Sequence, residues 1–174
     1  YGLVAISLGR RRLRLSHGRL LICWLLGINL WMWAGALVRV RQATWLEVTA
    51  LDVGHGDCLV IRTPSRQTML IDTGSQEAGA YVVVPYLRYH GIHTVDALVL
   101  THFDEDHLGG AIPVLQSARV RRVFTNGAQP TTPTGDRVLA LAREARIPVE
   151  SLSAGRQLTG ITGIDMMILH PPER

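Results

Sequence analysis

The chain has 174 residues, 47 % of them apolar and 18 % charged, with a formal net charge of +4. That composition is too hydrophobic for a disordered protein, and it suits one ordinary domain or a membrane segment with a small soluble domain. Every basic charge is an arginine, and the two cysteines, Cys23 and Cys58, lie far apart in apolar contexts, which excludes a zinc ribbon, a redox pair or a disulfide framework.

In chain order, residues 1–9 (YGLVAISLG) read as the tail of an earlier hydrophobic segment, and a start without methionine fits a truncated N-terminus. Arg10, Arg11, Arg12, Arg14 and Arg19 make an arginine-rich loop over 10–19. Such a run can bind nucleic acid or anionic lipid, but beside a membrane helix it serves more simply as a topology signal. Residues 20–38 carry no charge, and as a helix they would be about 28 Å long, close to the hydrocarbon thickness of a bilayer. This predicts a transmembrane helix, in a stretch too long for a signal peptide. Five arginines precede it, and only Arg39 and Arg41 follow closely. The positive-inside rule then puts residues 10–19 in the cytoplasm and everything after about residue 42 on the far side. The predicted organisation is a membrane segment over 1–43 and a soluble domain over 44–174.

From residue 45 the texture changes to short β-rich runs. Strands over 45–53, 58–63 and 68–72, joined by turns at 54–57 and 64–67, predict an antiparallel meander. The pattern then switches. A helix over 79–90 must begin late or bend at Pro85. A buried strand over 95–100, a short helix over 107–116, a strand over 120–125, a helix over 136–146 and a last strand over 164–169 follow. Strands first, then helices and strands in turn, predict a layered α/β domain with mixed sheets.

Chemistry concentrates in residues 98–110, LVLTHFDEDHLGG, where an apolar strand ends in two histidines, three acids and two glycines. Adjacent carboxylates repel, and ionised acids against a core are costly unless something neutralises them. A divalent cation meets that need, because carboxylate oxygen and imidazole nitrogen are both ordinary ligands for it. In an extended segment alternate residues point the same way, so His102, Asp104 and Asp106 can converge from one side. His107 then arrives as the chain turns into its helix, and Glu105 points away. One short loop can thus serve two metals. A helix cap explains Asp106 alone but not two histidines. An EF-hand loop would need an oxygen ligand at Leu108 and a later glutamate, and residues 111–115 supply none.

The string T-H-x-D-x-D-H-x-G-G after a buried strand resembles the metallo-β-lactamase superfamily, whose usual motif is H-x-H-x-D-H. Leu51-Asp52-Val53-Gly54-His55-Gly56-Asp57, Leu70-Ile71-Asp72-Thr73-Gly74 and Pro85-Tyr86-Leu87 narrow the likeness. Over about residues 46–172 the chain resembles the soluble domain of ComEC-type DNA-internalisation competence proteins. The resemblance implies an αββα sandwich, here partial and preceded by the transmembrane helix, with a dinuclear site at one edge. It implies that His102 and Asp104 hold one metal and that Asp106 and His107 hold the other. Catalysis would rest on Asp106 and His107, with a metal-activated water as nucleophile. Asp57 and Asp72 would support the ligands from behind or order the loops. Asp104 stands where the commoner motif has histidine, giving a harder, more anionic site that suits manganese as well as zinc. The family's later ligands, an aspartate in an L-T-G-D-like stretch and a histidine in an H-H-G-S-like stretch, do not occur in these residues. The chain alone is therefore expected to be inactive or poorly folded, with His170 a weak substitute ligand.

By the same resemblance the chain is expected to be part of a DNA-uptake protein of the bacterial inner membrane. Its soluble domain, outside the cytoplasm, would hydrolyse phosphodiester bonds of the strand that is not imported. Its partners would be DNA, single-stranded in particular, the membrane and other competence-machinery proteins, with no small-molecule cofactor. Two alternatives stay open. A catalytically inactive, membrane-anchored module could hold DNA on Arg119, Arg121, Arg122, Arg137, Arg143 and Arg146. A generic hydrolase of the superfamily would keep the site and change the substrate.

Overall fold

The computed structural model describes residues 5–8, 11–14, 17–41, 45–158 and 160–170. They divide between two compact units, Tyr1–Ala43 and Thr44–Arg174. In the first, β1 (Ala5–Leu8) and β2 (Arg11–Arg14) form an antiparallel pair, and α1 runs over His17–Arg41. The 25 residues of α1 make a rod about 37 Å long. Apolar residues from Leu20 to Trp33 occupy every face of it, and Trp24, Trp31 and Trp33 are exposed. A helix without a polar face has no side suited to water. By length and composition His17–Gly35 could cross a bilayer. The helix starts three residues before the expected 20–38 and ends three after it, taking Arg19, Arg39 and Arg41 into its end turns. Arg11, Arg12 and Arg14 fall in β2 instead of a loop. Arg10 and residues 1–4 and 171–174 lie outside the described residues.

The second unit is built on a six-stranded mixed sheet in the order β10-β9-β7-β5-β4-β3. The expected meander is its antiparallel half: β3 (Glu47–Ala50), β4 (Leu59–Arg62) and β5 (Thr68–Ile71). The parallel half is β7 (Ala97–Leu100), β9 (Val123–Thr125) and β10 (Val149–Ser151). Two short strands, β6 (Thr94–Val95) and β8 (Arg119–Val120), pair with each other in parallel. The helices are α2 (Gln76–Ala78), α3 (Val84–Tyr89), α4 (Glu105–Leu108), α5 (Ala111–Ser117) and α6 (Pro133–Glu144).

Alternation along the strands sorts side chains onto two faces. Val60, Leu70, Leu98, Leu100 and Val123 pack with Leu87, Leu108, Val114 and Val138 of the helices. Ile61, Met69, Ala97 and Phe124 face the other way and are covered by Leu152, Leu158 and Ile161. The result is a layered α/β arrangement, with helices against one face of the sheet. On the second face no further sheet forms among the described residues. Ile71 and Val99 there line a cavity of about 580 Å³.

Departures from the expected elements have local causes. The helix expected over 79–90 begins earlier, where Ser75 caps it by accepting the Ala78 N–H. It then widens into a π turn, Gly79–Val83, in which the Val84 N–H bonds the Gly79 carbonyl. That wide turn sits just ahead of Pro85, which has no N–H to give and whose ring crowds the preceding turn. The strand expected over 95–100 breaks at Asp96, which ties itself to Thr68 through both its backbone N–H and its carboxylate. The one expected over 120–125 breaks at Arg121 and Arg122, where the chain passes from β8 to β9. The strand expected over 164–169 is reduced to a single bridge, Gln157 to Met167. β10 is exposed at every residue and carries no apolar alternation by which the sequence could reveal it.

Leu70→Ala removes a fully buried side chain from mid-sheet and should lower the unfolding free energy by about 3 kcal/mol. Ile71→Ala, on the partly open face, should cost less than half as much. Urea unfolding followed by circular dichroism separates the two.

Candidate metal centre

β5 and β7 are parallel neighbours, so their C-terminal ends lie side by side and the loops that follow them meet. After Leu100, Phe103 turns into the core at 5 % exposure while His102 and Asp104 point outward. Thr132, the N-cap of α6, holds this loop by accepting the Gly135 N–H and donating to the Phe103 carbonyl. Asp104 is the N-cap of α4 by its backbone, yet its carboxylate makes no capping hydrogen bond. An N-cap aspartate ordinarily spends its side chain on the first-turn N–H groups. Here Oδ2 lies 3.5 Å from His102 Nε2 instead.

The alternation expected for His102, Asp104 and Asp106 stops at Asp104, because α4 begins at Glu105. Asp106 therefore comes from the helix together with His107, its Oδ2 3.9 Å from His107 Nε2. Glu105 turns away and accepts the Thr134 hydroxyl at 2.7 Å.

Behind the histidines lies Asp72, 2 % exposed, in a left-handed backbone conformation with φ 55°. Aspartate tolerates that region better than most residues. Its Oδ1 accepts the Thr101 N–H at 2.8 Å, and its Oδ2 accepts the Thr101 hydroxyl at 2.6 Å. The same Oδ2 lies 3.0 Å from His107 Nδ1, and Thr101 Oγ1 lies 2.8 Å from His102 Nδ1. Counting protons fixes the roles. An ionised carboxylate only accepts, so His107 Nδ1 donates and the single Thr101 hydroxyl proton goes to Asp72. Thr101 Oγ1 can then only accept from His102 Nδ1. In its neutral form each imidazole thus carries its proton on Nδ1 and keeps an Nε2 lone pair. Their rings lie 3.9 Å apart, inclined at 48°. Asp72, His102 and His107 offer ligand atoms within 4.8 Å of one another. Because both Asp72 oxygens already accept hydrogen bonds, its geometry is that of a positioning group. Thr101, marked in the sequence only by its place before His102, is the relay that sequence reasoning misses.

The backbone is clamped as tightly. The Thr73 N–H and hydroxyl both donate to the His107 carbonyl, and the Gly110 N–H donates to Gly74. Two glycines are demanded by close approach. A Cβ at Gly56 (φ 91°) would lie 1.7 Å from the Asp106 carbonyl oxygen, and one at Gly110 2.2 Å from that of Thr73. Asp57 is exposed and enters through its carbonyl, which accepts the Gly74 N–H at 3.0 Å. His170 is exposed and shares with His102 the lining of the 580 Å³ cavity. Cys58 is 2 % exposed. Burial, and after it the Asp72 charge, push its thiol up to about 12. Such a thiol behaves as a small hydrophobe.

The sequence profile of the metallo-β-lactamase superfamily matches residues 51–168. The chain belongs to that superfamily. It is 32 % identical over 141 residues to ComE operon protein 3 of Bacillus subtilis, covering 72 % of this chain and 18 % of that protein. It is 43 % identical over 63 residues to Competence protein ComA of Neisseria gonorrhoeae, covering 36 % of this chain and 9 % of that one. Recombination protein 2 of Haemophilus influenzae is 33 % identical over 109 residues, with coverage of 60 % and 12 %. The chain thus spans less than a fifth of the length of these curated relatives. Among solved structures, a metallo-β-lactamase from Pontibacter korlensis is similar with a TM-score of 0.43 and 21 % identity, covering 69 % of this chain and 58 % of that one. This metallo-β-lactamase domain is related to competence proteins.

Cys58 should resist alkylation. In a Cys23→Ser chain, iodoacetamide at pH 8 should label it only after denaturation, as read by mass spectrometry. The folded thiol holds its proton more tightly than one at the ordinary value of 9.0. Its contribution to stability is therefore fully present below about pH 9 and is lost as pH rises from there toward about 12.

Proposed function

We propose that the soluble unit is a metal-dependent phosphodiesterase of a membrane DNA-uptake protein, acting on the strand that is not imported. One observation carries this reading: each Nε2 atom stands beside a carboxylate that caps nothing, His102 beside Asp104 and His107 beside Asp106. Two ligands of one tetrahedral zinc sit about 3.4 Å apart, close to the 3.5 and 3.9 Å separations here. The donor set, two neutral imidazoles and two carboxylates, also suits a divalent cation. His102 and Asp104 would hold one ion and Asp106 and His107 a second, zinc or manganese. Bound there, the ions would polarise a phosphate oxygen and supply a nucleophilic water at neutral pH.

The chain's own residues prepare the ground. Asp72, directly through His107 and by way of Thr101 to His102, keeps both Nε2 atoms unprotonated. Thr73 and Gly110 fix the backbone at His107. Asp57 belongs to the loop that packs on Asp106 and helps to order it. The DNA substrate is suggested by the competence relatives. In this reading α1 anchors the unit in the bacterial inner membrane, with the arginines of residues 10–19 on the cytoplasmic side. The soluble unit then lies outside, beside incoming DNA and other competence proteins.

The complete reading frame should cleave single-stranded DNA with zinc or manganese, and Asp106→Ala should lower the rate by about 100-fold or more. Cleavage that survives this substitution, or that persists in chelator, would overturn the reading. Asp72→Asn tests the proton relay. Its amide would donate where the carboxylate accepts, moving both imidazole protons to Nε2. Metal affinity by titration calorimetry should then fall by about 10–100-fold.

A further inference from the structure

The end of the sheet opposite the histidines is basic. Following the chain back from His102 to Asp96 covers six residues, about 20 Å if extended. It leads to a cleft of about 590 Å³ lined by Arg62, Arg66, Arg121, His90, His93 and Asp96, among others. The three arginines reach it from separate segments: the end of β4, the turn after it and the link between β8 and β9. Arg66 holds a left-handed turn position, φ 64°, where glycine is the ordinary occupant. Asp96 is the single acid among the cleft's lining residues, and one of the cleft's own arginines holds it. Its Oδ2 accepts the Thr68 N–H and its Oδ1 takes Arg121 at 3.1 Å. Glu47 meets Arg62 at 3.4 Å.

Arg121 also lines a second hollow, of about 400 Å³, with Arg119 and Arg146 and with no acid. Arg121 is thus common to the walls of both hollows. The other arginines over 119–146 stand apart from this track. Arg137 pairs with Glu144 at 3.6 Å along α6, and Arg122 lies over the Phe124 ring.

We propose that this basic pole binds the sugar-phosphate backbone of a nucleic-acid strand, with Arg62, Arg66 and Arg121 and then Arg119 and Arg146 meeting successive phosphates. A lone anion would need one hollow; two that share an arginine suit a polymer of anions. A flat lipid surface would ask for a flat patch, whereas these arginines line concavities. The inference rests on the DNA reading above for its choice of polymer and is independent of the metal.

The test is fluorescence anisotropy of a labelled twelve-nucleotide oligothymidylate with the whole chain in phosphatidylcholine nanodiscs. Chelator is present and salt is varied. Arg66 and Arg119 are exposed, so replacing both with glutamine leaves the fold intact, checked by thermal melting. The pair Arg66→Gln with Arg119→Gln should weaken binding about tenfold and make the slope of log affinity against log salt shallower by about 1.4, which is about 0.7 for each lost contact. The control pair Arg137→Gln with Arg143→Gln removes the same charge away from both hollows and should retain wild-type affinity. Unchanged affinity in the first pair overturns the proposal. Equal losses in both pairs overturn it too, because affinity would then follow net charge alone. Binding to phosphatidylglycerol nanodiscs with none to oligothymidylate would make the pole a lipid contact, and the proposal would fall. A failure of DNA cleavage leaves the result untouched, because the chelator removes hydrolysis from the measurement.

Discussion

The carboxylate of Asp72 is the point on which the site depends. A buried charge is tolerated only where donors surround it, and Asp72 finds three: the Thr101 N–H, the Thr101 hydroxyl and His107 Nδ1. Those donors belong to the segment after β7, so satisfying the charge and positioning the histidines are one event. The clamp between Thr73 and His107 and the glycine contacts at Gly56 and Gly110 follow from it, since backbones must approach closely for the donors to reach. Metallo-β-lactamase membership accounts for the motifs in their order. The proton count explains why an aspartate and a threonine accompany the histidines.

The two ends of the sheet have opposite electrical character. Asp72, Asp104, Glu105 and Asp106 gather where the parallel strands finish, while Arg62, Arg66 and Arg121 gather where they begin. Acidic and basic side chains are thereby sorted to separate poles of one small unit, which keeps the carboxylate cluster clear of neutralising arginines. The arginines of the second unit look diffuse along the sequence, and Arg62, Arg66 and Arg121 come together only through the topology.

Much of this was legible in the sequence where the deciding forces are local. The meander β3–β5 follows from apolar runs and tight turns, and β7 from an uninterrupted apolar stretch. His102, Asp104, Asp106 and His107 stand out by residue type. What stayed hidden is set by distant partners. Asp96 breaks its strand because of Thr68, 28 residues earlier, and Thr101 acquires its role from Asp72, 29 residues earlier. Asp106 leaves the extended segment because α4 starts right after Asp104, which caps it by its main chain alone and so gives no side-chain signal. β10 is exposed and, among the described residues, pairs with β9 alone, so its pattern carries no signal.

The pairing of β5 with β7 has a consequence for the order of events during synthesis. The antiparallel strands join through short turns and can zip up as they emerge, but Met69 meets Ala97 only after the intervening chain has folded back. Asp72 and Thr101 sit on opposite sides of that late junction. In a nascent chain the histidines therefore gain the partners that set their tautomer only once that junction has formed. Assembly of the network around Asp72 is in this sense a mark of completed folding, written into the crossover itself.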